Sequence, residues 1–483
     1  MLFNSIDFAI FLPIVFVLYW FVTQKNLKLQ NLLIVIASYV FYGWWDWRFL
    51  SLIIFSTLVD YIIGVLLSKE KSFSKRKMYL GISIVVNLGF LGFFKYYNFF
   101  LDNFITAFSF FGQSISRSGL NIILPVGISF YTFQTLSYSI DVYRKKLEPT
   151  KDFIAFSAFV CFFPQLVAGP IERATNLLPQ FYKKRQFEYE KAVDGMRQIL
   201  WGLFKKVVIA DNCAILVNTI FENQESYSGS SLLIGAFLFS FQIYGDFSGY
   251  SDIAIGTSRL FGFNLMQNFA FPYFSRDIAE FWRRWHISLS TWFRDYLYFP
   301  LGGSRGTVFK TVINVFIIFL VSGFWHGANW TFIVWGFVNV LFIIPSVIFK
   351  TNRNNLEIVA QNSILPKWYE VLQIITTFVI TALIWVFFRA KNLTEAFYYL
   401  SKIFSASLFQ KPIINSNYIT IKWLLILLLF LMTMEWLGRK GKHALESIIP
   451  NCNGYLRWLF YLMIILMLVY FGAKEQSFIY FQF

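Results

Sequence analysis

Apolar residues run along this chain in blocks of roughly 17–25, the length a helix needs to cross a hydrocarbon core about 30 Å thick. Residues 6–22, 79–97, 230–245, 370–388, 420–437 and 455–472 are such blocks. Helices are the expected form, because every backbone polar group inside lipid must find its partner within its own segment. The pattern predicts an all-α polytopic membrane protein with about eleven or twelve spans, organised as one membrane domain over residues 1–483 with its most diagnostic core at 120–345. The first block has no basic residue before it, carries Asp7 at its start and is followed by no small-x-small cleavage site, so it reads as a retained span. The longest polar interruptions are 172–200 and 273–310, with shorter ones near 350–367 and 438–454.

Two stretches depart from a plain lipid-facing pattern. Residues 311–349 contain no Asp, Glu, Lys or Arg, yet one straight helix of that length would reach about 60 Å, twice the hydrocarbon thickness. The stretch is therefore expected to break near SGFWHGANW, where Gly323 and Gly327 flank His326 beside Ser322, Trp325 and Asn329. Irregular backbone at that depth belongs where it is buried in protein or lines a cavity. Residues 273–310 mix Trp282, Trp285 and Trp292 with Arg276, Arg283, Arg284 and Arg294 around His286. Such a mixture predicts a helix lying along or dipping into the cytoplasmic interface.

Composition changes this picture only by closing off other classes. Charged residues make up 14% and hydrophobic residues 57%, whereas a soluble domain carries about a quarter charged residues. The formal charge of +16 reads as cytoplasmic loops rich in Lys and Arg, which excludes a nucleic-acid partner and leaves the lipid bilayer. Segment 69–77 and the stretch from Arg173 to Lys206 are assigned to the cytoplasm, and 211–230 to the opposite side. Cys161, Cys213 and Cys452 lie too far apart to suggest a disulfide framework or a zinc site.

Candidate chemistry rests on the histidines. Of three, His443 sits in the basic stretch GRKGKHALE and reads as an ordinary loop residue, while His286 and His326 occupy the two anomalous stretches. A neutral imidazole can take a proton from a hydroxyl as that oxygen attacks a thioester, and a membrane cavity excludes competing water. The chain has no GxSxG, HExxH or GxxxxGK[ST] motif for the competing chemistries. Asp246, Tyr250 and Asp252 lie in an apolar stretch, where acids must be paired or face a polar cavity; spacing leaves both readings open.

Five ordered blocks carry a resemblance: LPVGISFYTFQTLSYSIDVYR (124–144), FFPQLVAGPIER (162–173), QIYGDFSGYSDIAIGTSRLFGF (242–263), FWRRWHISLSTWFRDYLYFPLGGSR (281–305) and GFWHGANWTFIVWG (323–336). In these the chain resembles the membrane-bound O-acyltransferase (MBOAT) family, in the bacterial branch typified by the alginate O-acetylation membrane subunit. The resemblance implies helices around a central tunnel that joins a cytosolic donor side to an outer acceptor side. It implies His326 as the catalytic histidine and His286 as a second active-site residue. Acetyl-CoA or another acyl thioester would be the donor substrate, with no permanently bound cofactor. The acceptor would be an extracytoplasmic polysaccharide, reached through an SGNH-type partner at the bacterial cytoplasmic membrane. Peptidoglycan O-acetylation and teichoic acid D-alanylation use the same architecture. On this reading Trp325, Asn329, Trp285, Asp246, Asp252 and Tyr250 are substrate-lining candidates, and Arg283, Arg284 and Arg294 could attract coenzyme A phosphates. His286 would then orient the thioester or stabilise charge on its carbonyl oxygen. A transporter of acyl groups or precursors, and a non-catalytic scaffold, are the alternatives of another class; neither needs a base at His326.

Overall fold

Local sequence starts the helices where the pattern expects them. Asn26 caps Leu27–Asp46 by accepting from the Lys28 and Leu29 amides, and Thr307 caps Val308–His326 by accepting from Lys310. Each cap satisfies amides that the first turn would leave bare, which matters most beside lipid. In the computed structural model, which describes the chain apart from residues 111–119, 121, 168, 415–418, 474–475 and 480–483, the described residues form helices and no strand. Position 168 of the 162–173 block thus lies outside the described residues.

Seven helical stretches are long and apolar enough to cross a membrane: Leu27–Lys69, Phe73–Ser109, Gly229–Leu260, Val308–His326, Trp330–Ile348, Trp368–Arg389 and Ile421–Gly438. The first of these holds two helices, Leu27–Asp46 and Leu50–Lys69, joined by one tight turn. Three shorter apolar stretches, Ile6–Val22, Phe153–Leu166 and Gly454–Tyr470, accompany them. The outward faces carry many exposed apolar side chains: Ile6, Val85, Trp368, Leu429 and Val469 are all more than 65% exposed, the reverse of a water-soluble surface. The protein is a multi-pass, all-α membrane protein.

The chain divides into two compact units, Met1–Ala192 with Thr257–Met266, and Val193–Gly256 with Gln267–Phe483. In the first, the Leu50–Lys69, Phe73–Leu91 and Ile128–Tyr143 helices pack together, and Arg185 is buried with its guanidinium donating to Gln30 and Asn31. In the second, the uncharged stretch breaks as expected. Val308–His326 ends at His326, Gly327 is extended, and Asn329 caps Trp330–Ile348. The two helices form a close hairpin through Gly323 and Gly336. A Cβ added at Gly323 would meet the Phe332 carbonyl oxygen at 2.3 Å, and one at Gly336 the Phe319 carbonyl at 2.4 Å.

The expected interfacial helix over 273–310 is not one helix. Ile278–Arg284 and Ile287–Phe293 are separate seven-residue helices, broken at Trp285–His286, with His286 in the left-handed region at φ 45°. Their inner face is buried, with Phe281, Trp285, His286 and Ser288 each at 1% exposure or less, because its aromatics find aromatic partners in the same unit.

Candidate active site

The break at Trp285–His286 and the hairpin end at His326 lead to one cleft. His286 and His326 both line it, with Trp282, Trp285, Phe293 and Phe319 among its walls, and its volume is about 180 Å³. His326 is 4% exposed and boxed by rings, with centroids 5.0 Å from Trp325, 5.1 Å from Trp335 and 5.3 Å from Phe388. Gly327 makes that box possible, since a Cβ there would lie 2.1 Å from the Phe332 ring. Trp325 joins the two histidines, its ring 6.1 Å from that of His286.

His286 is held by a chain of polar groups. Asn268 Nδ2 donates to Ser251 Oγ at 3.0 Å, which leaves Asn268 Oδ1 as an acceptor, and Ser288 Oγ donates to that oxygen at 2.8 Å. His286 Nδ1 lies 3.0 Å from the same oxygen, so Nδ1 carries the proton and donates. Nε2 is then the lone-pair nitrogen, and it is buried without a hydrogen-bond partner among the described residues. Burial pushes the His286 pKa down to about 3, so the ring is neutral at any physiological pH.

The other candidates divide into cleft-lining and structural. Trp285 lines the cleft and packs 5.1 Å from Trp385, while Asn329 caps its helix and donates to the Lys391 carbonyl at 2.8 Å. Arg283 lines the cleft, but its guanidinium donates to the carbonyls of Asn352 and Asn355. Arg284 is bound to Glu280 at 2.8 Å. Of the three arginines expected at coenzyme A phosphates, Arg294 has a half-exposed side chain, paired with its neighbour Asp295. Asp246 and Asp252 are ion-paired: Asp246 with Lys206 at 2.8 Å, Asp252 with Lys205 at 2.6 Å. Tyr250 is buried 4.3 Å from the Phe478 ring. Neither these acids nor Tyr250 line the histidine cleft.

Two readings of the sequence are corrected here. Lys205 and Lys206 are not loop charges: their side chains are 4% and 1% exposed and serve as counter-ions to buried aspartates. His443 is not an ordinary loop residue. It is buried, with Nε2 3.0 Å from Asp194 Oδ1, and it borders a second, water-sized cavity of about 10 Å³ with Lys205, Tyr244, Asp252, Glu435 and Asn268. Asn268, Lys205 and Glu435 were missed. The signals were present in the adjacent lysines of WGLFKKVVIA and the lone acid of LLLFLMTMEWLG, but Asn268 carries none. Among the described residues, no group of three or more His, Cys, Asp or Glu side chains could hold a metal ion.

Residues 144–387 match the profile of the MBOAT, membrane-bound O-acyltransferase family. A probable alginate O-acetylase AlgI of Pseudomonas aeruginosa is 40% identical over 422 residues, covering 87% of this chain and 78% of its own. The chain belongs to the membrane-bound O-acyltransferase family. It is an acyltransferase. The likeness extends from end to end: the probable alginate O-acetylase AlgI of Pseudomonas putida is 36% identical across 100% of both chains. The peptidoglycan O-acetyltransferase of Helicobacter pylori is 36% identical over 82% of this chain and 78% of its own. The matched span contains the whole histidine cleft, from Ala279 to His326.

Proposed function

We propose that this acyltransferase moves an acetyl group from a cytosolic thioester donor, acetyl-CoA, across the bacterial cytoplasmic membrane toward an extracytoplasmic polysaccharide. The acceptor class is alginate or a related exopolysaccharide, reached through an SGNH-type partner outside the membrane. The observation that carries the reading is the single cleft bordered by both membrane histidines, in a chain matched from end to end by a probable alginate O-acetylase.

In this reading His326 takes the proton of the acceptor hydroxyl as its oxygen attacks the thioester carbonyl. The C–O bond forms, the C–S bond breaks, and the imidazolium returns the proton to the leaving thiolate. His286 is neutral, with a lone pair on Nε2, so it orients an incoming O–H or N–H by accepting from it. A role in stabilising negative charge on the carbonyl oxygen would need a donor at Nε2, which the Asn268 bond disfavours. Aromatic walls keep water from hydrolysing the donor. Arg294 is the arginine best disposed to meet donor phosphates at the cytoplasmic mouth.

The test is acyl transfer from radiolabelled acetyl-CoA in proteoliposomes, with the SGNH-type partner added, comparing wild type with His326→Ala at matched protein level. Label reaching polymer or partner with wild type alone supports the proposal. Equal transfer by a folded His326→Ala protein would sink the catalytic role and favour a scaffold. Peptidoglycan acetylation is the second reading, favoured by the Helicobacter pylori relative, and substituting peptidoglycan fragments for alginate in the assay separates the two.

A further inference from the structure

The Trp330–Ile348 helix carries a buried amide at its midpoint, outside the five sequence blocks that hold the histidines. Asn339 is 3% exposed in an apolar stretch, where a polar group without a partner is costly. Both ends of its amide are used. Nδ2 donates to the Trp335 carbonyl one turn back at 2.8 Å, which leaves Oδ1 as an acceptor. The Trp282 indole N–H, on the Ile278–Arg284 helix, donates to that oxygen at 3.2 Å. Turned the other way, the amide would set one N–H against another, so the two bonds fix its orientation together.

Trp282 is at the same time a wall of the histidine cleft. Its ring lies edge-on to Phe319, with centroids 5.5 Å apart, and edge-on to Trp335, also at 5.5 Å. Phe319 is another wall of the cleft, and Trp335 belongs to the box around His326, 5.1 Å away. Trp282 also packs against the apolar cluster of Ile278, Ile343 and Val347. Apolar contact is non-directional, so it holds a ring without choosing which edge faces which way. The bond to Asn339 supplies the direction. Without it the indole N–H would be stranded among apolar side chains, and rotation about χ2 would shift the ring relative to the cleft.

We infer that Asn339 is a positioning residue for acyl-size selectivity: by locking the Trp282 indole it keeps the cleft narrow and restricts the donor to a two-carbon acyl thioester. The inference rests on the acyl-transfer reading proposed above. The cleft has a volume of about 180 Å³ and must take the thioester with the end of its carrier arm, so each further methylene presses on a wall. A fixed wall rejects the longer chain, and a wall that turns makes room for it.

The experiment measures kcat/KM for acetyl-CoA and for butyryl-CoA in the proteoliposome assay, with the full-length protein and its variants. Wild type should prefer acetyl by at least about tenfold, the ordinary factor for extra methylenes in a tight pocket. Asn339→Leu, similar in size but without an acceptor, should lower that preference about threefold to tenfold, chiefly by admitting butyryl, which is the factor one hydrogen bond supplies. Asn339→Asp keeps an oxygen in place and should stay closer to wild type. Trp282→Phe should relax the preference by itself, and adding Asn339→Leu to it should change nothing further, because the N–H is already gone. A merely structural Asn339 would lower turnover of both donors together; an unmoved ratio in the variants therefore overturns the inference. So does a wild type that accepts both donors equally, or a further loss of preference in the double variant. If Asn339→Leu elutes as aggregate, Trp282→Phe decides, and wild-type preference in that variant overturns it. Absence of transfer from either donor by wild type sinks the acyl-transfer proposal and this inference with it, whereas transfer with an unmoved ratio sinks the inference alone.

Discussion

Asn268 shows how much one side chain outside the recognised motifs can control. Its amide is the group that sets the His286 tautomer, by giving Nδ2 to Ser251 and keeping Oδ1 for the imidazole. It is a positioning residue: removing it frees the ring to flip or to move its proton, without touching substrate. Asn268→Ala should therefore lower kcat about tenfold or more with KM little changed, and Asn268→Asp should recover part of the loss because it still accepts from Nδ1. Steady-state kinetics on both variants checks this; a change confined to KM would contradict it. Glu172 makes a second prediction at this scale. Buried in the first unit, and accepting from the Met266 amide and the Asn176 side chain, it has a pKa pushed up to about 7 by burial. A carboxyl whose folded pKa is raised favours folding at low pH and loses that contribution as pH rises from about 4.5 to about 7. The unfolding midpoint should fall across that window, by at most roughly 3 kcal/mol of stability, and Glu172→Gln should flatten the dependence.

At the scale of elements, the Val308–His326 and Trp330–Ile348 hairpin positions the catalytic candidate, and its glycines permit its closeness. Membrane helices lack a strong hydrophobic drive toward one another, so they depend on small residues for close backbone contact. Gly323→Ala would press a methyl group onto the Phe332 carbonyl, backbone that cannot swing aside. It is expected to lower stability by about 1–3 kcal/mol and to reduce acyl transfer by displacing His326, three residues on. Gly81→Ala is the control, because nothing lies within 4 Å of a Cβ there, and its stability and activity should match wild type. Thermal unfolding in detergent alongside the acetyl transfer assay separates the two outcomes.

At the scale of the molecule, the second unit is fastened by buried charge. Lys206 meets Asp211 at 2.7 Å and Asp246 at 2.8 Å, and it also donates to the Gln476 carbonyl at 3.0 Å. Asp246 in turn accepts from the Ile479 amide at 2.6 Å, so residues more than 200 apart in sequence share one ionic centre. Removing one partner strands the others without a counter-charge. Lys206→Met is expected to destabilise by about 3–5 kcal/mol, and adding Asp211→Asn and Asp246→Asn to it should restore most of that. Equal loss in the single and triple variants would show that the centre acts by packing instead of by charge.

The sequence by itself determined what depends on neighbours along the chain. Apolar block length, the absence of charge from 311 to 349 and the glycines around His326 sufficed for an all-α membrane chain, its broken hairpin and the singling out of the two histidines that line one cleft. These are local properties, because a helix satisfies its own backbone and lipid tests each block separately. Tertiary structure alone decided the partners. It paired Asp246 and Asp252 with lysines that read as loop charges, buried His443 against Asp194, and set Asn268 beside His286. It also broke the predicted interfacial helix at His286, where a left-handed residue turns the chain into the protein. A polar side chain at membrane depth must be matched by whatever group comes nearest in space. Tyr244 and Glu435 lie 191 residues apart and meet at 2.8 Å, and no periodicity in the chain encodes that distance.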